Sequence, residues 1–363
     1  MAEAANYSVV PLEELRAFVV RCMEAVGTRT DHSEALAELL VTADHRGHFS
    51  HGLNRLDSYM ADREAGLCAS GDVTPVIVSE KLSVANVDGK DLLGPVVGKF
   101  CMDIAIKKAR ETGVGWVTAR ASNHFGIAGW YSIQAASQGL LGLAFTNSSP
   151  SMVPSRSKDG ILGTNPISLS APAGPDDMFV LDMATTTVAL GKVEISGRKG
   201  QPIPPGWGVD SSGQETFNPE EVLHGGGLLP LGGLELTGGY KGYGLAMMVE
   251  IFTSILSGAT CSPNVRSWLD HSTRKNADLG HCFVAIDPDA FAPGFVDRMS
   301  DLMGICRSLE PIDGETEVLV AGDPERKHMA MCKELGGIPY HPNQIKYANE
   351  IAEKYRIPPM KTL

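Results

Sequence analysis

Three histidines and two arginines fall within the stretch "DHRGHFSHGLNRL" (44–56): His45, His48, His51, Arg46 and Arg55. Imidazole is the side chain that gains or loses a proton near neutral pH. A guanidinium grips a carboxylate through a forked pair of hydrogen bonds. His51 and Arg55 are four residues apart, so on a helix they share one face. Together they suit a small 2-oxo or 2-hydroxy acid, with Arg55 on the carboxylate and the imidazole at the neighbouring oxygen. Two other readings fit the same residues. One is a solvated, charged helix start. The other is a metal site from His45, His48 and His51 beside Asp44, although Gly47 interrupts a helix there and no second ligand cluster follows.

Other stretches carry polar groups to places where chains turn. In "TARASNHFGIAGWY" (118–131), His124 follows strand-forming residues and precedes Gly126 and Gly129, where an apolar helical run begins. Such a turn aims side chains and free N–H groups into a cleft; a helix cap or a polar turn is the plainer role. "FTNSSP" (145–150) offers hydroxyls and amides to a ribose or pyrophosphate, or forms an ordinary turn before Pro150. In "LDMATTTVALGK" (181–192), Asp182 could hold a histidine tautomer or a nicotinamide amide, or cap a helix. Lys192 could neutralise a phosphate or be solvated. In "GGYKGYGLAMM" (238–248), Lys241 with Gly242 and Gly244 opens an apolar helix, a combination that attracts anions. No phosphate-binding P-loop, no G-x-G-x-x-G after a strand and no G-x-S-x-G elbow occurs. A bound dinucleotide would therefore not use the Rossmann fingerprint.

The elements that must position these residues follow from periodicity. Residues 11–64 read as three helices, with a capping box from Asp31 and Glu34 opening the second and the third starting near Ser50. Gly66 and "SGDVTP" (70–75) mark a break and a domain boundary. Beyond it, strands at 76–79, 82–89, 114–120, 141–149, 167–171, 178–182, 281–287 and 316–322 are expected. They alternate with helices at 96–113, 127–139, 188–195, 243–258 and 297–308, and the tail returns to helix. Stretches 196–221 and 225–239, rich in Gly and Pro, read as long loops. The alternation indicates an α/β core and by itself suggests a parallel, doubly wound sheet.

Composition bounds the function. The chain has 363 residues, 43% of them hydrophobic, and a net charge of −12. That is a globular composition whose acidic surface speaks against nucleic acid or an anionic membrane as partner. The seven cysteines, Cys22, Cys68, Cys101, Cys261, Cys282, Cys306 and Cys332, form no C-x-x-C pair. Reduced thiols in a cytoplasmic protein are expected. The N-terminal residues carry no secretory pattern, and no apolar run reaches the ~20 residues needed to span a bilayer.

Taken together, "RGHFSHGLNRL", "ASNHFGIAGWY", "FTNSSP", "LGTNPIS", "LDMATTTVALGKVE", "GQPIPPGWGVD", "LPLGG", "KGYGLAMMVEI" and "GIPYHP" resemble the non-Rossmann malate/L-lactate dehydrogenase family. That family also holds sulfolactate, ureidoglycolate and diketogulonate dehydrogenases and Δ1-piperideine-2-carboxylate reductases. The stretches run in order from Arg46 to Pro342, nearly the whole chain.

The resemblance implies hydride transfer between NAD or NADP and a small 2-oxo, 2-hydroxy or imino acid, a carboxylate substrate, in a homodimer with no metal. It implies a cofactor domain on a mixed, largely antiparallel sheet (75–335), beside a helical domain (1–74) joined by C-terminal helices (336–363). Carried over by position, His124 resembles the proton donor and acceptor, and His51 with Ser50 a substrate-site pair and the competing acid/base. Arg55 resembles the carboxylate residue. Asp182 lies close to the chemistry, and Met183 and Ala184 line the cofactor. Ser148, Lys241, Gly322 and Asp323 resemble further cofactor contacts. The chain departs from the family at "SRSKDG" (155–160), near the cofactor, and at Leu190, where a basic residue is common. A protein that kept the fold and lost catalysis is the alternative, although every proposed catalytic position holds a competent residue type. A metal-dependent hydrolase is a more distant one.

Overall fold

Apolar side chains at helical spacing (Val97, Cys101, Ala105 and Ala109) form the buried stripe of one long helix, and that helix organises the fold. The computed structural model describes residues 7–70, 72–268 and 275–363. In chain order its first half contains β1 (Ser8–Val10), α1 (Leu12–Ala25), α2 (Thr30–His45), a 3-10 turn (Leu53–Arg55), α3 (Leu56–Glu64), β2 (Val76–Lys81), β3 (Val84–Leu92), α4 (Gly94–Thr112), β4 (Val114–Ser122), α5 (Gly129–Ala136), β5 (Leu141–Thr146), β6 (Ile167–Pro172) and β7 (Met178–Met183). Then follow α6 (Leu190–Arg198), β8 (Gly208–Val209), β9 (Glu215–Thr216), α7 (Pro219–Leu223), β10 (Gly227–Leu228), α8 (Gly239–Glu250) with a π-helical turn (Ile251–Ile255), β11 (Leu279–Ile286), α9 (Phe295–Arg307), α10 (Asp323–Leu335), β12 (Ile338–Tyr340) and α11 (Pro342–Tyr355).

The central sheet has the strand order β2-β3-β4-β11-β5-β6-β7. Only β3 and β4 are hydrogen-bonded in parallel; every other pair is antiparallel. This corrects the parallel sheet that alternation suggests. Strands β3, β4 and β5 do run the same way, linked by α4 and α5, as helical crossovers demand. But β11, from much later in the chain, enters antiparallel between β4 and β5. Its burial on both faces makes residues 282–286 a continuous apolar run that does not announce its direction.

The first and last described segments meet. β1 pairs with β12, and the Leu363 N–H donates to the Val9 carbonyl at 2.9 Å. One apolar core runs from Phe18, Leu36 and Leu40 on α1 and α2 to Val117 and Phe283 on the sheet, with Ile345 and Ala352 of α11 at its far side.

Several local expectations differ from the structure. The Asp31 capping box does not form: the helix begins at Thr30 with Arg29 at the N-cap, two residues before the box would place it, so Asp31 sits inside the first turn and pairs with Arg29 at 2.5 Å. The helix expected near Ser50 begins at Leu56, after the 3-10 turn, so His51 and Arg55 do not share a helical face. The stretch 316–322 is not a strand; it touches the edge strand β7 through one bond, from the Val180 N–H to the Ala321 carbonyl at 3.1 Å. The two long loops contain a small sheet, β10-β8-β9, and the short α7. In the break at 70–75, Gly71 lies outside the described residues.

Candidate active site

The "SHG" turn is folded back by a carboxylate at the end of α2. Asp44 is buried, and its Oδ2 accepts the Leu53 N–H at 2.8 Å and the Tyr340 hydroxyl at 2.5 Å. Burial pushes its pKa up to about 7, against the opposing pull of those two bonds. Gly52 lies against this carboxylate: a Cβ there would fall 1.8 Å from Asp44 Oδ1, so only glycine fits. The turn presents Ser50, His51 and Arg55 to one cavity. His51 Nδ1 meets Ser50 Oγ at 2.8 Å. Arg55 Nε donates to the Ser50 carbonyl at 2.8 Å, and Nη2 lies 3.6 Å from Glu194 Oε2 on α6.

His124 stands just beyond the end of β4, its ring facing that of His51 at 5.9 Å between centroids. Its Nδ1 lies 2.6 Å from the Tyr59 hydroxyl of α3 and 3.3 Å from the Gly126 N–H. The Trp268 indole lies flat on the ring at 3.9 Å and 12°. Burial first, then His51, Arg55 and His281, hold its pKa well below the usual range. Burial, Arg55 and His48 bring His51 down to about 3. Both imidazoles are therefore neutral at pH 7 in this state.

The opposite wall comes from β7 and two loops. Asp182 accepts the Gly129 N–H, the first of α5, at 2.7 Å rather than capping the helix that follows it. Burial raises its pKa, His48, the Gly129 bond and Arg46 pull it back, and Glu325 raises it further. His48 itself sits 3.5 Å from Glu325. Ser148 Oγ accepts the Thr164 N–H at 3.0 Å, and a Cβ on Gly163 would fall 2.2 Å from that hydroxyl. The "FTNSSP" and "GTNP" turns thus interlock through a position only glycine fills.

The cavity measures about 510 Å³, within the range for small-molecule and cofactor sites. Ser50, His51, Arg55, His124, Ser148, Asp182, Met183 and Ala184 all line it, though they come from four separate stretches. Lys241, Gly322 and Asp323 do not. Lys241 is an exposed residue in the first turn of α8. Asp323 belongs to an ion-pair cluster with Arg307, Arg326 and Asp177: burial opposes its charge, but Arg307, the Val320 N–H and Arg326 outweigh that and lower its pKa. Gly322 opens the helix that carries it. The wall suits a nicotinamide nucleotide, with Ile127, Ala128, Met183 and Ala184 as an apolar bed and Ser148, Thr164 and Lys192 as polar groups for ribose and phosphate. Among the described residues, no His, Cys, Asp or Glu group is arranged to hold a metal ion.

The structure adds residues that sequence reading passes over. Glu194 sits inside a quoted motif, but nothing in its spacing marks it, and His48, weighed from its spacing only as a metal ligand, lines the cavity. Tyr59, Asp62, Arg266 and Trp268 come from distant stretches; Asp62 Oδ1 accepts from Arg266 at 2.7 Å and Oδ2 from the Trp268 indole at 3.0 Å.

Known proteins resemble the chain over nearly its whole length. The malate/L-lactate dehydrogenase family model matches residues 10–348. The malate dehydrogenase of Pyrococcus abyssi is 41% identical over 355 residues, which is 96% of this chain and 95% of the relative. A Δ1-pyrroline-2-carboxylate/Δ1-piperideine-2-carboxylate reductase of Pseudomonas putida is 33% identical over 300 residues, 81% of this chain and 84% of that protein. The solved malate dehydrogenase of Pyrococcus horikoshii OT3 superposes with a TM-score of 0.87 at 38% identity, covering 98% of this chain and 97% of that one. The chain belongs to the malate/L-lactate dehydrogenase family and is an NAD(P)-dependent oxidoreductase.

Proposed function

We propose that the protein reversibly exchanges a hydride between NAD or NADP and C2 of a small 2-oxo or 2-hydroxy acid, or the C=N carbon of a cyclic imino acid. The observation that carries this reading is the meeting of Arg55, His51 and His124 at one cavity whose other wall is Met183, Ala184 and Ser148. When bound, the nicotinamide supplies or accepts the hydride. Arg55, steadied by its bond to the Ser50 carbonyl, holds the substrate carboxylate with its remaining guanidinium nitrogens, displacing Glu194. The carbonyl oxygen then faces the two imidazoles, and the alcohol forms by one hydride and one proton. Burial is the main reason His51 and His124 are neutral, and the positive charge of Arg55 adds to it; the substrate carboxylate offsets that second contribution and so favours the proton on the rings. Asp182, beside Met183 and Ala184, orders the start of α5 below the cofactor bed.

A homodimer is part of the proposal. Exposed Tyr240, Met247, Ile251 and Ile255 recur at helical spacing along α8 and its π-helical turn, an apolar stripe suited to a second copy. A cytoplasmic location is supported by seven free cysteines. No helix among the described residues is long and apolar enough to cross a membrane.

The test is nicotinamide absorbance at 340 nm with purified protein, NADH or NADPH, and a panel of 2-oxo acids and cyclic imino acids. Oxidation with one pairing establishes transfer and identifies cofactor and substrate. Tight cofactor binding without turnover of any panel member favours a catalytically inactive protein of this fold, and no cofactor binding refutes the proposal. Activity lost on chelation, with no nicotinamide requirement, points to a metal-dependent hydrolase.

A further inference from the structure

Two imidazoles face one cavity, and their outer nitrogens are held differently. Ser50 Oγ, 2.8 Å from His51 Nδ1, is a hydroxyl that can donate or accept. His51 can therefore gain or lose a proton without losing that partner. His124 Nδ1 faces a backbone amide, the Gly126 N–H at 3.3 Å, which can only donate. The Tyr59 hydroxyl reaches the same nitrogen at 2.6 Å. Tyr59 is 2% exposed, so its hydroxyl proton needs an acceptor inside the protein, and the bare Nδ1 of His124 is one. Two donors converge on one lone pair.

The ring is also held in its plane. Trp268 covers one face at 3.9 Å and also meets Tyr59 edge-on at 5.3 Å. The indole is fixed at both ends. Its Nε1 donates to Asp62 at 3.0 Å, and its backbone N–H donates to Ser149 Oγ at 3.0 Å. Ser149 Oγ in turn donates to the Arg266 carbonyl at 2.8 Å. A ring flip that exchanged the two nitrogens would need this stack to open.

We propose that Tyr59 and the Asp62-anchored Trp268 are positioning residues that lock His124 as the neutral tautomer with its proton on Nε2. His124 then presents a fixed N–H to the cavity and polarises the substrate oxygen as a hydrogen-bond donor, in the manner of an oxyanion hole. His51, with its adaptable hydroxyl partner, is the ring free to change its proton count. The proposal rests on the reading that the cavity holds the reacting oxygen, but its main test does not need turnover.

The test is ¹⁵N–¹H correlation spectroscopy of the histidine side chains in the full-length protein, with His124 assigned by its loss in His124→Gln. The expected result is a pyridine-like Nδ1 and a pyrrole-like Nε2 that do not titrate between pH 5.5 and 9. A pyrrole-like Nδ1, or a ring that titrates near pH 6.5, overturns the proposal. Tyr59→Phe should introduce the second tautomer and lower kcat roughly 10–100-fold with KM within about twofold. Unchanged kcat in a Tyr59→Phe protein that still binds nicotinamide also overturns it. A wild-type protein with the Nε2–H tautomer but no turnover of any substrate refutes the functional reading and leaves the tautomer assignment standing.

Discussion

Glu194→Gln should make the enzyme bind its substrate more tightly, which is an unusual outcome for a change inside an active-site cavity. Glu194 lies 3.6 Å from Arg55 Nη2, and the two side chains are 18% and 15% exposed. Two unit charges at that distance attract by about 5 kcal/mol at an effective dielectric constant near 20. Desolvation and the open cavity cancel most of this, leaving a net of about 1–2 kcal/mol. A substrate carboxylate that takes Arg55 must displace this pairing and then sit close to a like charge. Neutralising Glu194 removes both costs, so KM for a carboxylate substrate should fall roughly 5- to 30-fold, with kcat little changed. Arg55→Ala acts in the opposite direction. It removes up to two charge-assisted hydrogen bonds worth about 1.5–3 kcal/mol each, and kcat/KM should drop by roughly 10²–10⁴. Adding Glu194→Gln to Arg55→Ala should recover part of that loss, because the unpaired carboxylate no longer repels the substrate. The assay is steady-state oxidation of the reduced nicotinamide at 340 nm with cofactor saturating. A raised KM in Glu194→Gln would refute the competition argument, and unchanged kinetics in Arg55→Ala would refute the carboxylate assignment itself.

His124→Ala should lower kcat by roughly 10²–10⁴ whether the ring donates a proton or a hydrogen bond, and a near-wild-type rate would remove it from the chemistry. Gly163→Ala should raise the Kd for the nicotinamide nucleotide by an order of magnitude or more, read by quenching of tryptophan fluorescence, because its Cβ would fall 2.2 Å from Ser148 Oγ and 2.6 Å from the Ser148 carbonyl; unchanged affinity would place the cofactor elsewhere. Asp44 makes stability depend on pH. Its carboxyl titrates near 3.9 in the unfolded chain and about 7 in the fold, so between those values the folded protein holds the extra proton. Its contribution is fully present below pH 4, falls as pH rises, and is gone above about pH 7, a span of at most about 4 kcal/mol. Denaturant unfolding at pH 5 and pH 8 should therefore show a larger loss for wild type than for Asp44→Asn; equal losses would contradict it.

Short-range patterns carried much of this protein. The stripe on α4 and the strand-to-helix turn at His124 follow from side-chain periodicity and backbone freedom, which are properties of neighbouring residues. So does the list of residues able to do chemistry, and eight of the candidates line one cavity. What neighbours do not encode is direction and distance. The sheet changed from parallel to mixed because β11 enters between β4 and β5 from more than a hundred residues away. His51 and Arg55 meet the cavity from a turn folded over Asp44 rather than from a helix, because a buried carboxylate and Tyr340, 296 residues apart in sequence, close on each other. Lys241 and Asp323 have suitable chemistry, yet one is exposed in the first turn of α8 and the other is held among arginines. Trp268 on His124 had no sequence signal, since stacking depends on where two rings finish in space. Residue types set which reactions are possible; the packing of distant segments decided which groups meet, and with what proton on each.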